Sequence, residues 1–215
     1  MKKNLLSLVV LLGMVVCASG GLAQDAKIIK LPEPRMDGGK PLMEALKERQ
    51  TIRSFSAEKL PDQVLSNLLW AAWGVNRPES GKRTAPSAHN AQEIDIYVAT
   101  ADSLHLFDAK EHTLKLVLEE DVRDKTGKQP FVKEAAINLI YVADFAKMRG
   151  SEDTRTFYSA ADTGFISQNV YLFCASEGLG TVVRGLGNTT ALAKAMGLRP
   201  DQKVILAQSV GYPKK

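Results

Sequence analysis

The polar segment Arg49-Gln50-Thr51-Ile52-Arg53, here called the first block, decides how this chain is interpreted. Arg49 and Arg53 are four residues apart, so they share a face in a helix and also in a strand, whereas Thr51 joins them only in a strand. Two guanidinium groups and a hydroxyl on one side favour a phosphate-bearing ligand, because arginine pairs bidentately with anionic oxygens. The alternative is that Lys47, Glu48 and the two arginines form the solvated end of an amphipathic helix.

A second polar segment, Pro86-Ser87-Ala88-His89-Asn90-Ala91-Gln92, is here called the second block. It lies in a stretch, residues 74–92, that is rich in turn-forming residues and is flanked by predicted structure on both sides. Loops in this position often carry function, since a rigid scaffold holds them while they stay accessible. Together the two blocks fit the two halves of a site for a planar anionic cofactor.

The N-terminus has the pattern of a secretory signal peptide. Lys2-Lys3 precedes an apolar run, residues 5–16, that is too short to cross a bilayer. Ala23 and the glycine two positions before it predict cleavage after Ala23, which makes the protein periplasmic or otherwise exported. No other segment is predicted to span a membrane. Lipidation of Cys17 is the alternative, although Val15-Val16 precedes it where a small residue usually stands.

Composition predicts one ordinary domain. Removal of residues 1–23 takes two lysines from a formal net charge of +4, and the remainder is too weakly basic to indicate a nucleic-acid partner. We predict an N-terminal arm over residues 24–40 and a single domain over residues 41–215. The mature chain would carry one cysteine, Cys174, so no intrachain disulfide can form and stability must come from the core and from dimerisation.

Hydrophobic periodicity predicts an irregular alternation of helices and strands. Helices are predicted over residues 41–49, 60–74, 158–177 and 191–196, and strands over residues 94–98, 104–107, 114–118, 136–142 and 204–210. The acidic stretch Glu119-Glu120-Asp121 is placed in a surface helix. The three histidines show no metal-binding spacing with one another or with Cys174, so no metal site is predicted.

Three segments together resemble the FMN-dependent nitroreductase family, in the branch that includes the azoline-oxidase-type proteins. The first block, with Phe55 two positions beyond it, is similar to the family's opening Arg-Arg/His-Ser-x-Arg/Lys signature. The second block is similar to its Pro-Ser-x-x-Asn-x-Gln loop. Asp162-Thr163-Gly164 and Gly178-Leu179-Gly180-Thr181 are similar to its long helix and the turn after it. The resemblance spans residues 41–213.

The resemblance implies a fold, an assembly and a cofactor. The fold is α+β, a three-layer α-β-α sandwich with a mixed, mostly antiparallel sheet. The assembly is a homodimer, and the cofactor is FMN. The implied cofactor-binding residues are Arg49, Gln50, Thr51, Arg53, Pro86, Ser87, Asn90, Val183, Arg184 and Gly185.

The resemblance also implies a role for each of these residues. The first three bind the phosphate and the ribityl chain, and Arg53 lies against the N1 and C2 carbonyl edge of the ring. Asn90 contacts the ring edge or the ribityl chain, while Pro86 and Ser87 approach the cofactor bound mainly to the opposite subunit. The last three residues present backbone groups to N5 and O4. No catalytic side chain beyond the flavin environment is required.

The chain departs from the family pattern at two places. Glu93 and Ile94 stand where the family often has Pro-Trp, and the terminal Lys214 and Lys215 replace a longer basic segment after Gly-Tyr-Pro. The lysine pair is either a phosphate contact or a solubilising tail. His89 is interpreted as a polar loop residue near the flavin, with acid-base chemistry as the alternative.

The resulting hypothesis is an exported FMN-dependent oxidoreductase that works by ping-pong transfer on small electrophilic or aromatic substrates. One alternative is a flavin-binding electron-carrier module without its own small-molecule turnover. Another is a structural homologue that has lost FMN. The sequence identifies neither the physiological substrate nor the electron donor, nor the direction of the reaction.

Overall fold

The structure is a computed structural model that describes residues 27–187 and 189–215. The helices are α1 (Leu42–Glu48), α2 (Asp62–Trp73), α3 (Phe131–Glu134), α4 (Glu152–Glu177) and α5 (Thr190–Ala195). The strands are β1 (Ile28–Lys30), β2 (Val75–Arg77), β3 (Lys82–Arg83), β4 (Ile94–Ala99), β5 (Leu104–Asp108), β6 (Thr113–Leu118), β7 (Ile137–Asp144), β8 (Gly180–Arg184) and β9 (Gln202–Gly211). Three short 3-10 turns cover Ala88–Asn90, Arg123–Thr126 and Phe145–Lys147.

Seven of the strands form one sheet in the order β1-β6-β5-β4-β7-β9-β8, and β2 and β3 form a separate hairpin. Each neighbouring pair in the sheet is antiparallel. The β4-β5-β6 meander follows from short turns, and the longer connections carry the helices. The predicted fold class, α+β with a mostly antiparallel sheet, is confirmed.

The sheet is covered on both faces. The central strands β4 and β7 direct alternate side chains to opposite sides, as the period of two in a strand requires. The residues that join one core with α2 and α4 are Ile96, Val98, Leu139 and Tyr141. The residues that join the other core with Leu192 of α5 are Tyr97, Ala99, Ile140 and Val142. Each fully buried aliphatic side chain contributes about 1.5–3 kcal/mol, so both helical layers are held by hydrophobic burial.

The long helix α4 begins six residues before its predicted start at Tyr158. Ser151 is its N-cap and accepts a hydrogen bond from the backbone N–H of Thr154 at 3.3 Å, and Glu152 follows in the first turn. The predicted stop is confirmed, since Gly178 adopts a left-handed conformation at φ 70°. Helices α1 and α2 lie where the sequence predicts them, each starting after a proline.

The structure also contains elements that the sequence did not predict. Ile28–Lys30 forms the edge strand β1 against β6, in a stretch expected to hold no element. β8 follows α4 directly and forms the other edge of the sheet. The expected surface helix over Glu119–Asp121 is wrong: this stretch bends, and Asp121 forms an ion pair with Arg123 at 2.9 Å.

The predicted signal peptide, residues 1–23, lies outside the described residues, as does its predicted cleavage site. Within residues 27–187 and 189–215, no helix combines the length and the apolar character needed to cross a membrane.

Candidate functional site

The first block runs in an extended conformation beside β8. Helix α1 ends at Glu48, and the backbone N–H of Ile52 donates to the carbonyl of Thr181 at 3.0 Å. The Ile52 side chain packs against Gly180, where an added Cβ would lie 2.9 Å from Ile52 Cγ2. The alternative of a helix end holds for Lys47 and Glu48, which form the exposed last turn of α1 before the C-cap Arg49, but it is wrong for Arg53, which lies outside the helix. Glycine at position 180 permits the close approach.

Tyr171 of α4 connects the first block to β8. Its hydroxyl lies 3.1 Å from Thr51 Oγ1 and accepts a hydrogen bond from the backbone N–H of Val183 at 3.1 Å. The guanidinium carbon of Arg49 lies 5.3 Å from the centroid of the Tyr171 ring, within cation–π range. Three predicted site residues thus meet around one side chain, which is 7% exposed.

Arg53 and Gln50 are exposed, and neither side chain makes a hydrogen bond or ion pair with the described residues. The C-terminus runs alongside them: the backbone N–H of Lys214 donates to the carbonyl of Ser54 at 3.1 Å, and Phe55 forms a β-bridge with Pro213. This pairing brings the terminal lysines to the first block, where the sequence left their role open.

The second block is a strained loop. His89, Asn90 and Gln92 have φ values of 54°, 53° and 48°, a left-handed conformation that costs a non-glycine residue of order 1 kcal/mol or more. Gln92 holds the loop, because its backbone N–H donates to Ser87 Oγ at 3.0 Å and its Oε1 accepts from Arg83 Nε at 2.9 Å. Strain of this kind is retained where a loop presents groups to a ligand.

A buried pair of carboxyl groups lies under the second block. Asp162 of α4 accepts a hydrogen bond from the backbone N–H of Ala88 at 2.8 Å. Glu93 is 0% exposed, and neither of its carboxylate oxygens has a hydrogen-bond partner among the described residues. The pKa of Glu93 is raised to about 7, mainly by burial and also by the nearby Asp162 carboxylate, while its own backbone N–H and the charge of Lys147 act in the opposite direction.

Arg184 directs its side chain away from the edge of the sheet. Its guanidinium is buried and donates to Thr126 Oγ1 at 2.7 Å and to Asn138 Oδ1 at 2.9 Å. Burial lowers the pKa of Arg184 to about 10. Only its backbone is left to serve a ligand, which is the role that the sequence predicts. Gly185, next along the chain, is exposed with open space around its Cα.

The two blocks are not in contact within one chain. Among the described residues, no hydrogen bond or ring contact joins the first block to the second; instead, both attach to α4. Asp162 holds the second block and Tyr171 the first. These two residues are nine positions apart, which is about 14 Å along a helix that rises about 1.5 Å per residue.

Sequence reasoning missed Tyr171, Asp162 and Glu93 as members of the site. Tyr171 stands in an apolar run, where it reads as core. Asp162 stands in one of the segments that resemble the family, but the resemblance implies no role for it. Glu93 stands out in the sequence only as a departure from the family pattern. Its position directly before a buried strand is the feature that could have predicted a buried carboxylate.

Comparison with known proteins gives consistent matches. The model of the nitroreductase family matches residues 46–212. A protein of Methanocaldococcus jannaschii assigned as a nitroreductase is 32% identical over 155 residues, covering 67% of this chain and 78% of the relative. A crystal structure from Ralstonia eutropha, also assigned as a nitroreductase, has a TM-score of 0.83 and 43% identity, covering 87% of this chain and 90% of that one. A structure from Desulfovibrio desulfuricans in complex with FMN has a TM-score of 0.61 and 20% identity, covering 82% of this chain and 88% of that one, and shows the shared fold.

Proposed function

The chain belongs to the nitroreductase family, and on this premise we propose that it is an FMN-dependent oxidoreductase acting on small electrophilic or aromatic substrates in two half-reactions. The observation that carries the proposal is the junction at Tyr171, which gathers Arg49, Thr51 and Val183 at one edge of the sheet. These are members of two segments that the sequence assigned to one cofactor.

The donor set fits FMN. Arg49 supplies fixed positive charge for the phosphate, with Thr51 on the same side of the chain, and Arg53 supplies fixed positive charge for the N1 and C2 carbonyl edge of the ring. The backbone N–H groups from Val183 to Gly185 can donate without titrating, so they hold a ring edge at any working pH. FMN, when bound, supplies the two-electron chemistry. The FMN complex of the Desulfovibrio desulfuricans neighbour supports this choice of cofactor.

One hydrogen bond within the chain must be replaced if the backbone of Val183 is to bind the cofactor. The Val183 N–H donates to the Tyr171 hydroxyl, so a ligand at this N–H would replace that hydroxyl as acceptor. The hydroxyl keeps its contact with Thr51 Oγ1 and can turn its proton to suit. Tyr171 therefore orients the first block and covers the β8 edge until a ligand takes the N–H.

The purified protein tests the proposal. We expect a flavin absorbance spectrum with one FMN per chain, bleached by dithionite without oxygen and restored by a nitroaromatic acceptor. Arg49→Ala should retain less FMN than wild type, whereas Lys110→Ala, in the exposed β5–β6 turn outside the site, should retain as much. A colourless protein that takes up no added FMN would refute the proposal. Bleached flavin that no small molecule restores would favour the electron-carrier alternative.

We propose that the protein acts as a homodimer with two FMN sites. Large apolar side chains are exposed on α1 and α4: Leu42, Met43, Leu46, Phe157 and Phe165. Exposed apolar groups on two helices that contact each other favour association, and the separation of the two blocks favours a site shared between chains. Sedimentation should give a dimer for the flavin-loaded protein. A flavin-loaded monomer would contradict this assembly.

Export and the branch within the family are further proposals. The pattern Lys2-Lys3, the apolar run and Ala23 support cleavage and release as an exported protein. Mass spectrometry of the native N-terminus should find Gln24 first, and a diacylglycerol group on Cys17 would show lipidation instead. The azoline-oxidase-type branch rests on the sequence resemblance alone and stays a prediction.

A further inference from the structure

A cavity of about 690 Å³ lies between the second block, the segment after β7 and the first turns of α4. This volume is within the range of roughly 300–1,000 Å³ that is usual for small-molecule sites. Its walls include His89 and Asn90 from the second block, Lys147 and Arg149 from the segment after β7, and Tyr158 from α4. None of the residues that line it is acidic. Asp162 of α4 lies behind the lining, where it accepts a hydrogen bond from the backbone N–H of Ala88 at 2.8 Å, and the acidic residues in the first turn of α4 are exposed outside the lining.

The polar groups in these walls are mainly hydrogen-bond donors. Arg149 makes no hydrogen bond or ion pair with the described residues, so its guanidinium is available. Lys147 is held by Asp95 at 3.0 Å, which neutralises its charge in part. Asn90 accepts a bond from Gln92 Nε2 at 3.2 Å through Oδ1, and its amide nitrogen has no partner among the described residues. A ligand that accepts hydrogen bonds and carries negative charge complements this wall.

Two aromatic rings, those of His89 and Tyr158, also line the cavity. They lie 6.0 Å apart at an interplanar angle of 78°. The strained φ of His89 puts its ring in this position. Edge and face contacts with such rings favour a planar aromatic ligand.

We propose that this cavity is the substrate subsite of the proposed flavin site and takes an aromatic carboxylate, with Arg149 as the residue that selects the anion. The inference rests on the proposed function, because the ligand is a substrate only if flavin is bound nearby. The second block lines this cavity and also belongs to the predicted cofactor site. One available guanidinium matches one carboxylate through two parallel hydrogen bonds. Lys147, already paired, contributes less. The segment between β7 and α4, which carries both Lys147 and Arg149, thereby gains a role in ligand selection.

Binding measurements test the inference without relying on turnover. Calorimetric titration of the flavin-loaded protein with 4-nitrobenzoate and with the neutral 4-nitrobenzyl alcohol compares two ligands of similar shape. We expect wild type to prefer the carboxylate, and Arg149→Ala to weaken its binding about tenfold, the scale of one charge-assisted pair. Binding of the alcohol should change less than about twofold by the same argument. Arg149→Lys should restore part of the preference, since it keeps the charge but loses the fork.

Lys110→Ala is the matched control, because it removes one positive charge from the exposed β5–β6 turn, outside the cavity. It should leave both affinities as in wild type. Equal weakening of both ligands by Arg149→Ala would overturn the inference, as would an unchanged preference or a wild type that prefers the alcohol. A flavin-loaded protein without anion preference refutes only this inference. A protein that binds no FMN but still prefers the carboxylate refutes only the proposed function.

Discussion

Replacement of Glu93 by Gln should stabilise the protein above neutral pH. Glu93 is fully buried with both carboxylate oxygens unpartnered, and burial raises its pKa from 4.5 to about 7. The folded state therefore holds the proton more tightly than the unfolded chain does. The free energy of unfolding then falls as pH rises from about 4.5 to about 7 and stays level above that range.

The size of the effect follows from this shift. At 1.36 kcal/mol per pKa unit, the full change corresponds to about 3 kcal/mol, and relaxation around the charged form leaves about 1–2 kcal/mol. Gln is neutral and nearly isosteric, and its amide can donate to the Asp162 carboxylate. Glu93→Gln should thus equal wild type near pH 5 and exceed it by about 1–2 kcal/mol at pH 8.

Urea unfolding at several pH values, followed by tryptophan fluorescence, measures this difference. Protein concentration and FMN content are held equal, since a ligand or a partner subunit shifts apparent stability. Glu79→Gln, at an exposed position in the turn between β2 and β3, is the matched control and should show no such pH dependence. The reasoning is refuted if the advantage of Glu93→Gln is the same at pH 5 and pH 8, or if it grows toward acid.

Four further substitutions test the site. Tyr171→Phe should lower the free energy of unfolding by about 1–2 kcal/mol, because its hydroxyl serves two hydrogen bonds; thermal melts of the flavin-free protein measure it. Arg53→Ala should lower the flavin midpoint potential by about 20–45 mV, because it removes a positive charge beside the ring. Arg49→Ala should weaken FMN binding and leave the potential of the retained flavin nearly unchanged. Spectroelectrochemical titration measures both potentials, and equal shifts would show that the roles of the two arginines are assigned wrongly. Gly180→Ala should force Ile52 aside and cost about 1–3 kcal/mol, with a loss of bound FMN visible in the absorbance spectrum.

The sequence predicted the fold where local pattern and burial agree. The central strands and helices α1 and α2 have clear periods and clear ends. The first turn and a half of α4 lacks apolar residues, so its start depended on the Ser151 cap, which was not recognised. β1 exists through its pairing with β6, in the register Ile29 with Leu114, and no local property of three residues specifies a partner so far along the chain.

The candidate site shows the same limit. The residues of the first block could be identified from their types and spacing, because charge and hydroxyl chemistry are local properties. Their meeting with Tyr171 could not, since the Thr51 contact spans 120 positions. The burial of Glu93 likewise depends on how α4 covers the start of β4. The family resemblance indicates which segments belong to one site, but it does not identify the contacts of Tyr171 and Asp162 that hold those segments in place.

The geometry of α4 supports the proposal that a second chain completes the site. Asp162 and Tyr171 are nine residues apart, and nine residues at about 100° each rotate the helix by about 180° from one to the other. The two blocks that they hold are therefore on opposite sides of α4 as well as about 14 Å apart along it. This placement favours two separate ligand contacts over one within a single chain. In the proposed homodimer, a twofold axis would bring the second block of one chain to the first block of its partner and generate two equivalent sites. On this argument, the exposed Phe165 between the two positions serves function as well as association, and a charge placed there should release FMN even though it touches neither block.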